Sequence, residues 1–201
     1  VQELVDWVIE AAGSPWVFPV VFALIVADAF LIVVPSETVV VALGALALSA
    51  GQPNLWVLIP IAAIAAMLGD NLTYLVGRAV GLERFGWMRR RQVASAFAWA
   101  RRSLDRRAAV VMLTARFVPF GRIAVNLTAG ATGFAYGRFL PLSVIAGCVW
   151  AVYNVVIGAA FGAWFSSHPV LAVVLSIVVA ITLGVVVDRI TAVVASRRWH
   201  L

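Results

Sequence analysis

The sequence predicts an all-α integral membrane protein made of two inverted repeats. Each repeat is a re-entrant helical hairpin followed by a transmembrane helix, and further transmembrane helices flank the pair at the N- and C-terminal sides. Three observations predict this. First, the 201 residues are 64% hydrophobic and 12% charged with a mean hydropathy of +1.04, which is the composition of a membrane-embedded chain. Second, apolar runs are broken by proline, glycine and charge where an ordinary span would be continuous, at Pro35-Ser36-Glu37 and again from Arg116 to Arg122. Third, the two halves share a spacing: Pro60, Gly77 and Gly81 are 17 and 4 positions apart, as are Pro141, Gly158 and Gly162. A hairpin plus one helix crosses a bilayer an odd number of times, so the second copy must be inverted. Inverted repeats with broken segments at their interface are a transporter architecture.

The elements follow in order. Residues 1–12 place Leu4, Val5, Val8, Ile9 and Ala12 on one face, and read as a helix lying at the interface or as an extension of the next helix. They lack the basic start of a signal peptide. Residues 15–33 are apolar except for Asp28 and are long enough to span. Residues 34–50 hold Pro35, Glu37 and Gly44. They read as the first re-entrant hairpin rather than a kinked span, because broken backbone and acids are tolerated at membrane depth where they line a cavity. Gln52, Pro53 and Asn54 form a loop, and residues 55–77 are a transmembrane helix with Asp70 in its later half.

Residues 78–107 carry Arg78, Arg84, Arg89, Arg90, Arg91, Arg101, Arg102, Arg106 and Arg107 against only Glu83 and Asp105. They read as a cytoplasmic segment obeying the positive-inside rule, its arginines suited to anionic headgroups rather than nucleic acid. Residues 108–133 form the second hairpin, with Arg116 and Arg122 on either side of Pro119 and Gly121. Residues 136–163 span again and hold Pro141, Trp150, Tyr153 and Asn154. Residues 169–188 are the last span, with Asp188, Arg189, Arg197 and Arg198 at its cytoplasmic end. In this topology the first hairpin enters from outside and the second from inside. Gly158, Gly162 and Gly184 suit close packing within one chain or between copies in a homo-oligomer.

Five charged positions lie inside apolar stretches: Asp28, Glu37, Asp70, Arg116 and Arg122. They can neutralise one another as internal ion pairs, which is a weak stability device once desolvation is counted. They can also form a site. Arginine stays charged at any physiological pH and binds phosphate or carboxylate in a bidentate manner. A carboxylate removed from water favours its neutral form, so acids beside fixed cations can couple anion movement to protons. Neither His168 nor His200 stands beside Cys or another His, so no metal is expected, and no Walker-type loop or hydrolase triad is present. The lone Cys148 excludes an intrachain disulfide. No cofactor is expected, and the chain reads as a transporter rather than an enzyme.

Four stretches carry a resemblance: ADAFLIVVPSETVVVALGALA, GDNLTYLVGRAVG, ARFVPFGRIAVNLTAGATGF and W-x-x-Y-N-x-x-x-G. Their combined motifs are an acid nine residues before the P-S-E acid, G-D-x-x-x-Y-x-x-G-R, and R-F-x-P-x-x-R followed by A-G-A. Over roughly Asp28 to Gly162 the chain resembles the DedA family, bacterial membrane proteins that share the domain of the eukaryotic SNARE-associated Golgi, or VTT, proteins. The resemblance implies two facing re-entrant hairpins and movement of polyprenyl phosphate carriers across the membrane, the eukaryotic relatives being lipid scramblases. It makes Arg116 and Arg122 the paired phosphate-binding arginines, Glu37 the P-S-E acid, and Asp28 the stand-in for an acid usually written Glu. Asp70 joins these as a pocket acid, with Tyr74, Asn126 and Asn154 in support.

The expected function is thus proton-coupled return of undecaprenyl- or decaprenyl-phosphate, the cell-envelope carrier lipid, by a multi-pass protein of the bacterial inner membrane. The competing expectations are a less selective phospholipid scramblase and a non-transporting membrane scaffold.

Overall fold

The computed structural model describes residues 9–30, 36–81, 91–116 and 121–164. These residues contain helices and no strand. Most of the interfacial helix expected over residues 1–12, and the span expected over 169–188 with Gly184, lie outside them. Six helices follow in order: α1 (Val17–Asp28), α2 (Ser36–Ser49), α3 (Leu55–Val80), α4 (Arg91–Ala115), α5 (Gly121–Ala131) and α6 (Tyr136–Trp164).

Length separates them into two kinds. At 1.5 Å per residue, the 26 residues of α3 and the 29 of α6 reach roughly 39 and 44 Å, more than the ~30 Å hydrocarbon core. Helices α1, α2 and α5 have 12, 14 and 11 residues and reach only about 16–21 Å.

Of the span expected over 15–33, the residues after Phe30 lie outside the described ones. The helix stops at Asp28, where Ala29 and Phe30 turn back to the carbonyls of Val26 and Ala27. Apolarity continues beyond that point, so hydropathy alone hides the stop. Of the hairpin expected over residues 34–50, Ser36 to Ser49 form one helix, and Val34 and Pro35 lie outside the described residues. Helix α1 packs on α2, and α4 on α5. Helix α4 is interrupted at Arg107, whose φ of −145° and ψ of 44° are not helical.

Local signals set the helix ends. The Asn54 side chain accepts the Trp56 N–H at 2.9 Å and caps α3, and Gly81, at φ 66°, ends it. Helix α5 ends in a Schellman turn. Gly133 takes φ 73° and donates to the Gly130 carbonyl, and Phe134 donates to that of Ala129.

The chain forms two compact units. Unit 1 comprises the described residues up to Ala66 together with those from Gly147 onward, and unit 2 is Met67–Ala146. The core of unit 1 joins Val21 and Ile25 of α1, Val40 and Leu43 of α2, Leu58 and Ala62 of α3, and Trp150 and Val155 of α6. The core of unit 2 joins Tyr74 of α3, Leu104 and Met112 of α4, Ala129 of α5, and Phe134 and Phe139.

The same close contact occurs once in each unit. Both long helices carry proline at their sixth residue and glycine at their twenty-third. In unit 2, a Cβ on Gly77 would strike the backbone of Leu127 in α5, and one on Gly130 of α5 would strike that of Tyr74. In unit 1, a Cβ on Gly158 would strike the backbone of Val41 in α2, and one on Gly44 of α2 would strike that of Val155. Tyr74 and Val155 are each the twentieth residue of their helix. Small residues let backbones meet in a medium where hydrophobic force does not press helices together. Gly158 and Gly162 therefore serve packing within the chain, on Val41 and Ala45.

Candidate functional site

In unit 2 the site is organised by Asp70, the sixteenth residue of α3, which is 2% exposed. A bare carboxylate at that depth would cost several kcal/mol, so its oxygens must be satisfied. Arg116, immediately after α4, donates from Nη2 to Asp70 Oδ2 and has a side chain 4% exposed. Asn126 of α5 donates from Nδ2 to Oδ1 at 2.9 Å. Arg122, the second residue of α5, brings Nε to 4.0 Å of the same oxygen. Ser143 of α6, fully buried, stands with Oγ 3.4 Å from Oδ2 and receives the Asn71 amide at 3.3 Å.

The Gly77 and Gly130 contacts are what bring α5 to α3 closely enough for Asn126 and Arg122 to reach one carboxylate. Tyr74 lies one turn beyond Asp70. Its hydroxyl donates to the Phe134 carbonyl at 2.6 Å and accepts from Arg78 at 3.3 Å.

In unit 1 two acids accept hydrogen bonds from uncharged side chains. Asp28, the last residue of α1, accepts the Ser36 hydroxyl at 2.9 Å, and Ser36 is buried. Glu37, the second residue of α2, accepts the Trp150 indole N–H at 3.2 Å. Asn154 donates to the Trp150 carbonyl one turn back, which fixes the stretch of α6 that faces Glu37.

The two units thus use one plan with opposite charge. The second residue of a short helix reaches the fifteenth or sixteenth of a long one: Glu37 to Trp150 in unit 1, and Arg122 to Asp70 in unit 2. Among the described residues, the charged side chains of unit 1 are all acids, Glu10, Asp28 and Glu37, and every arginine belongs to unit 2.

Of the residues singled out in the sequence, Asp70, Arg116, Arg122 and Asn126 come together around one carboxylate. Asp28, Glu37 and Asn154 belong to unit 1, and Tyr74 to the aromatic cluster of unit 2. Sequence reasoning missed Ser143, Asn71, Ser36 and the role of Trp150. The G-D-N run and the serine of P-S-E were visible signals for two of them. A lone serine within α6 carried none.

A membrane-length helix with a buried acid bound by two arginines defines a membrane protein with an internal ionic site. The chain belongs to the VTT domain family, whose model matches residues 34–160. It is 26% identical over 152 residues to the DedA protein of Escherichia coli K12, covering 73% of this chain and 69% of that one. It is 29% identical over 121 residues to an uncharacterized membrane protein of Mycobacterium leprae, covering 58% and 52%. Another such protein, of Mycobacterium bovis, is 29% identical over 139 residues, covering 65% and 64%. The chain spans about half the length of the Mycobacterium leprae relative it matches, 52%. No solved structure matches it.

Proposed function

We propose that the chain moves a polyprenyl phosphate, undecaprenyl- or decaprenyl-phosphate, across the bacterial cytoplasmic membrane, with protons as the coupling ion. One observation carries the reading. Two guanidinium groups are held at a buried carboxylate within a membrane-length helix. A phosphate presents oxygens to the same donors and is the stronger bidentate partner, so it can take the place Asp70 holds. In this reading the headgroup takes over the cations that Asp70 holds, and a proton on the displaced carboxyl keeps the charge of the site balanced. Asp28 and Glu37, which accept a hydroxyl and an indole hydrogen bond, are the acids this reading assigns to the coupling from the first half of the chain. The lipid tail stays in the bilayer, so only the headgroup needs a polar path, and no bond in the substrate is made or broken.

The topology that serves this function takes α1–α2 as the first re-entrant hairpin and residues 108–133, the end of α4 with α5, as the second, with the acids at the break of the first and the arginines at the break of the second. The repeated glycine contact supports a duplicated origin, and the odd number of crossings in each copy makes the copies inverted. The arginine-rich part of α4, up to its interruption at Arg107, then faces the cytoplasm.

The test is flip of a labelled polyprenyl phosphate in proteoliposomes under an imposed pH gradient. Wild type should flip the lipid with gradient dependence, and Arg116→Ala and Arg122→Ala should lose flip while remaining folded. Equal flip by wild type and variants refutes the headgroup site and leaves a structural ion pair. Flip indifferent to pH and to headgroup would mark a scramblase.

A further inference from the structure

We propose that Arg78 and Arg138, mounted on the Tyr74–Phe134 aromatic cluster of unit 2, form a second anionic site that takes the phosphate headgroup of a bilayer lipid, separate from the Arg116–Arg122 pair. Both arginines are exposed, and each lies four residues after an aromatic ring on which its position depends. Arg78 donates from Nη1 to the Tyr74 hydroxyl at 3.3 Å. The Arg138 guanidinium lies 5.1 Å from the centroid of the Phe134 ring, within cation–π range. The two supports are joined, because the Tyr74 hydroxyl donates to the Phe134 carbonyl at 2.6 Å. Tyr74 is fully buried and stacks on Phe139 at 4.4 Å, so this base is rigid.

Local helix stability accounts for only half of the arrangement. Arg78 sits in the last turn of α3, where a cation suits the helix dipole. Arg138 sits in the first turn of α6, where a cation opposes it. Tyr136, whose ring centroid is 5.6 Å from that of Tyr74, is 41% exposed beside them. Half-exposed tyrosine with arginine at the ends of membrane-length helices is the chemistry of the headgroup layer. Basic side chains gathered there recognise anionic headgroups. Arginine held over a ring by its cation still has a donor fork that can face a phosphate.

The experiment follows thermal unfolding of the purified full chain in neutral detergent as phosphatidylglycerol, phosphatidylcholine or inorganic phosphate is added. Wild type should be stabilised by phosphatidylglycerol alone. The double variant Arg78→Gln/Arg138→Gln should need on the order of thirtyfold more phosphatidylglycerol for the same shift. Arg138→Lys, which keeps the charge but loses the guanidinium's bidentate fork, should fall between. Arg101→Gln/Arg102→Gln removes the same charge from two exposed arginines of α4, without the aromatic base, and should cost far less of the response than the double variant. An unchanged response in the double variant overturns the proposal, as does an equal loss in the α4 control, which would mean diffuse charge attraction. A shift reproduced by inorganic phosphate overturns the lipid assignment in favour of a soluble anion. If Arg78→Gln disturbs the Tyr74 bond and the fold, Arg138→Gln alone, at a surface position, decides the matter by the same readout.

Discussion

Gly130→Ala changes no site residue and should still damage the site. A Cβ at Gly130 would stand 2.7 Å from the Arg78 nitrogen and nearer still to the Tyr74 carbonyl oxygen, whereas ordinary contact begins at 3.4 Å. Both obstacles are backbone of α3, so no side chain can swing aside. The helices must part by about 0.7 Å or more, and overpacking of this kind costs roughly 1–3 kcal/mol. Asn126 lies one turn earlier on α5, 2.9 Å from Asp70 Oδ1. Carried away by the same amount, it passes out of hydrogen-bond range and forfeits about 1.5–3 kcal/mol for a bond to a charged group. The total is on the order of 2.5–6 kcal/mol, the sum of these two ranges. Gly137→Ala is the control: nothing lies within 4 Å of its Cβ position, so the change should be neutral or slightly stabilising through helix propensity. Unfolding in detergent and flip in proteoliposomes are the two readouts. Gly130→Ala should unfold earlier than Gly137→Ala and flip more slowly than wild type. If it matches Gly137→Ala in both, the close contact does not position the site and the reasoning fails.

Asp70→Asn keeps the shape but removes the buried anion beside Arg116 and Arg122. Thermal unfolding should report a loss of roughly 3–5 kcal/mol, the usual cost of breaking one side of a buried pair. Ser143→Ala removes both the long 3.4 Å contact to Asp70 and the 3.3 Å acceptor of the Asn71 amide, and should cost roughly 1–3 kcal/mol by the same assay. Gly44→Ala would put a Cβ 2.7 Å from the Val155 carbonyl oxygen and should destabilise by roughly 1–3 kcal/mol. A smaller loss there than in Gly137→Ala would contradict the two-glycine packing of unit 1. With Cys148 replaced by Ser, single cysteines at Asn54 and Arg102 report sidedness: the first should label from outside intact cells and the second only after permeabilisation.

Legibility in the sequence followed chemistry. Asp70, Arg116 and Arg122 stood out because charge in an apolar run is expensive wherever it occurs. Which acid the arginines meet was not legible, since Asp28, Glu37 and Asp70 all satisfy the same rule and only three-dimensional proximity places Asp70 with Arg116. Ser143 was invisible for a related reason: a serine in an apolar helix can satisfy itself on a carbonyl of the preceding turn, so its presence alone signals nothing. The spacing of Pro60, Gly77 and Gly81 was plain, and it matched that of Pro141, Gly158 and Gly162. The backbone each glycine meets had to come from packing. The end of α1 at Asp28 was hidden because Leu31 to Val34 are as apolar as the helix before them.

The division of the chain sets an order of birth. Unit 2 is one uninterrupted stretch, delivered whole by the ribosome, whereas unit 1 is written in two instalments around it. Glu37 and the indole it binds are 113 residues apart, and at about 5–20 residues per second the wait is roughly 6–20 s. Throughout that interval the glycine face of α2 has emerged before the helix built to cover it. A nascent chain halted after Ala146 should already join Arg116 to Asp70, while Glu37 still lacks Trp150. The arginine half is thus translated with all its own parts, and the acidic half closes last.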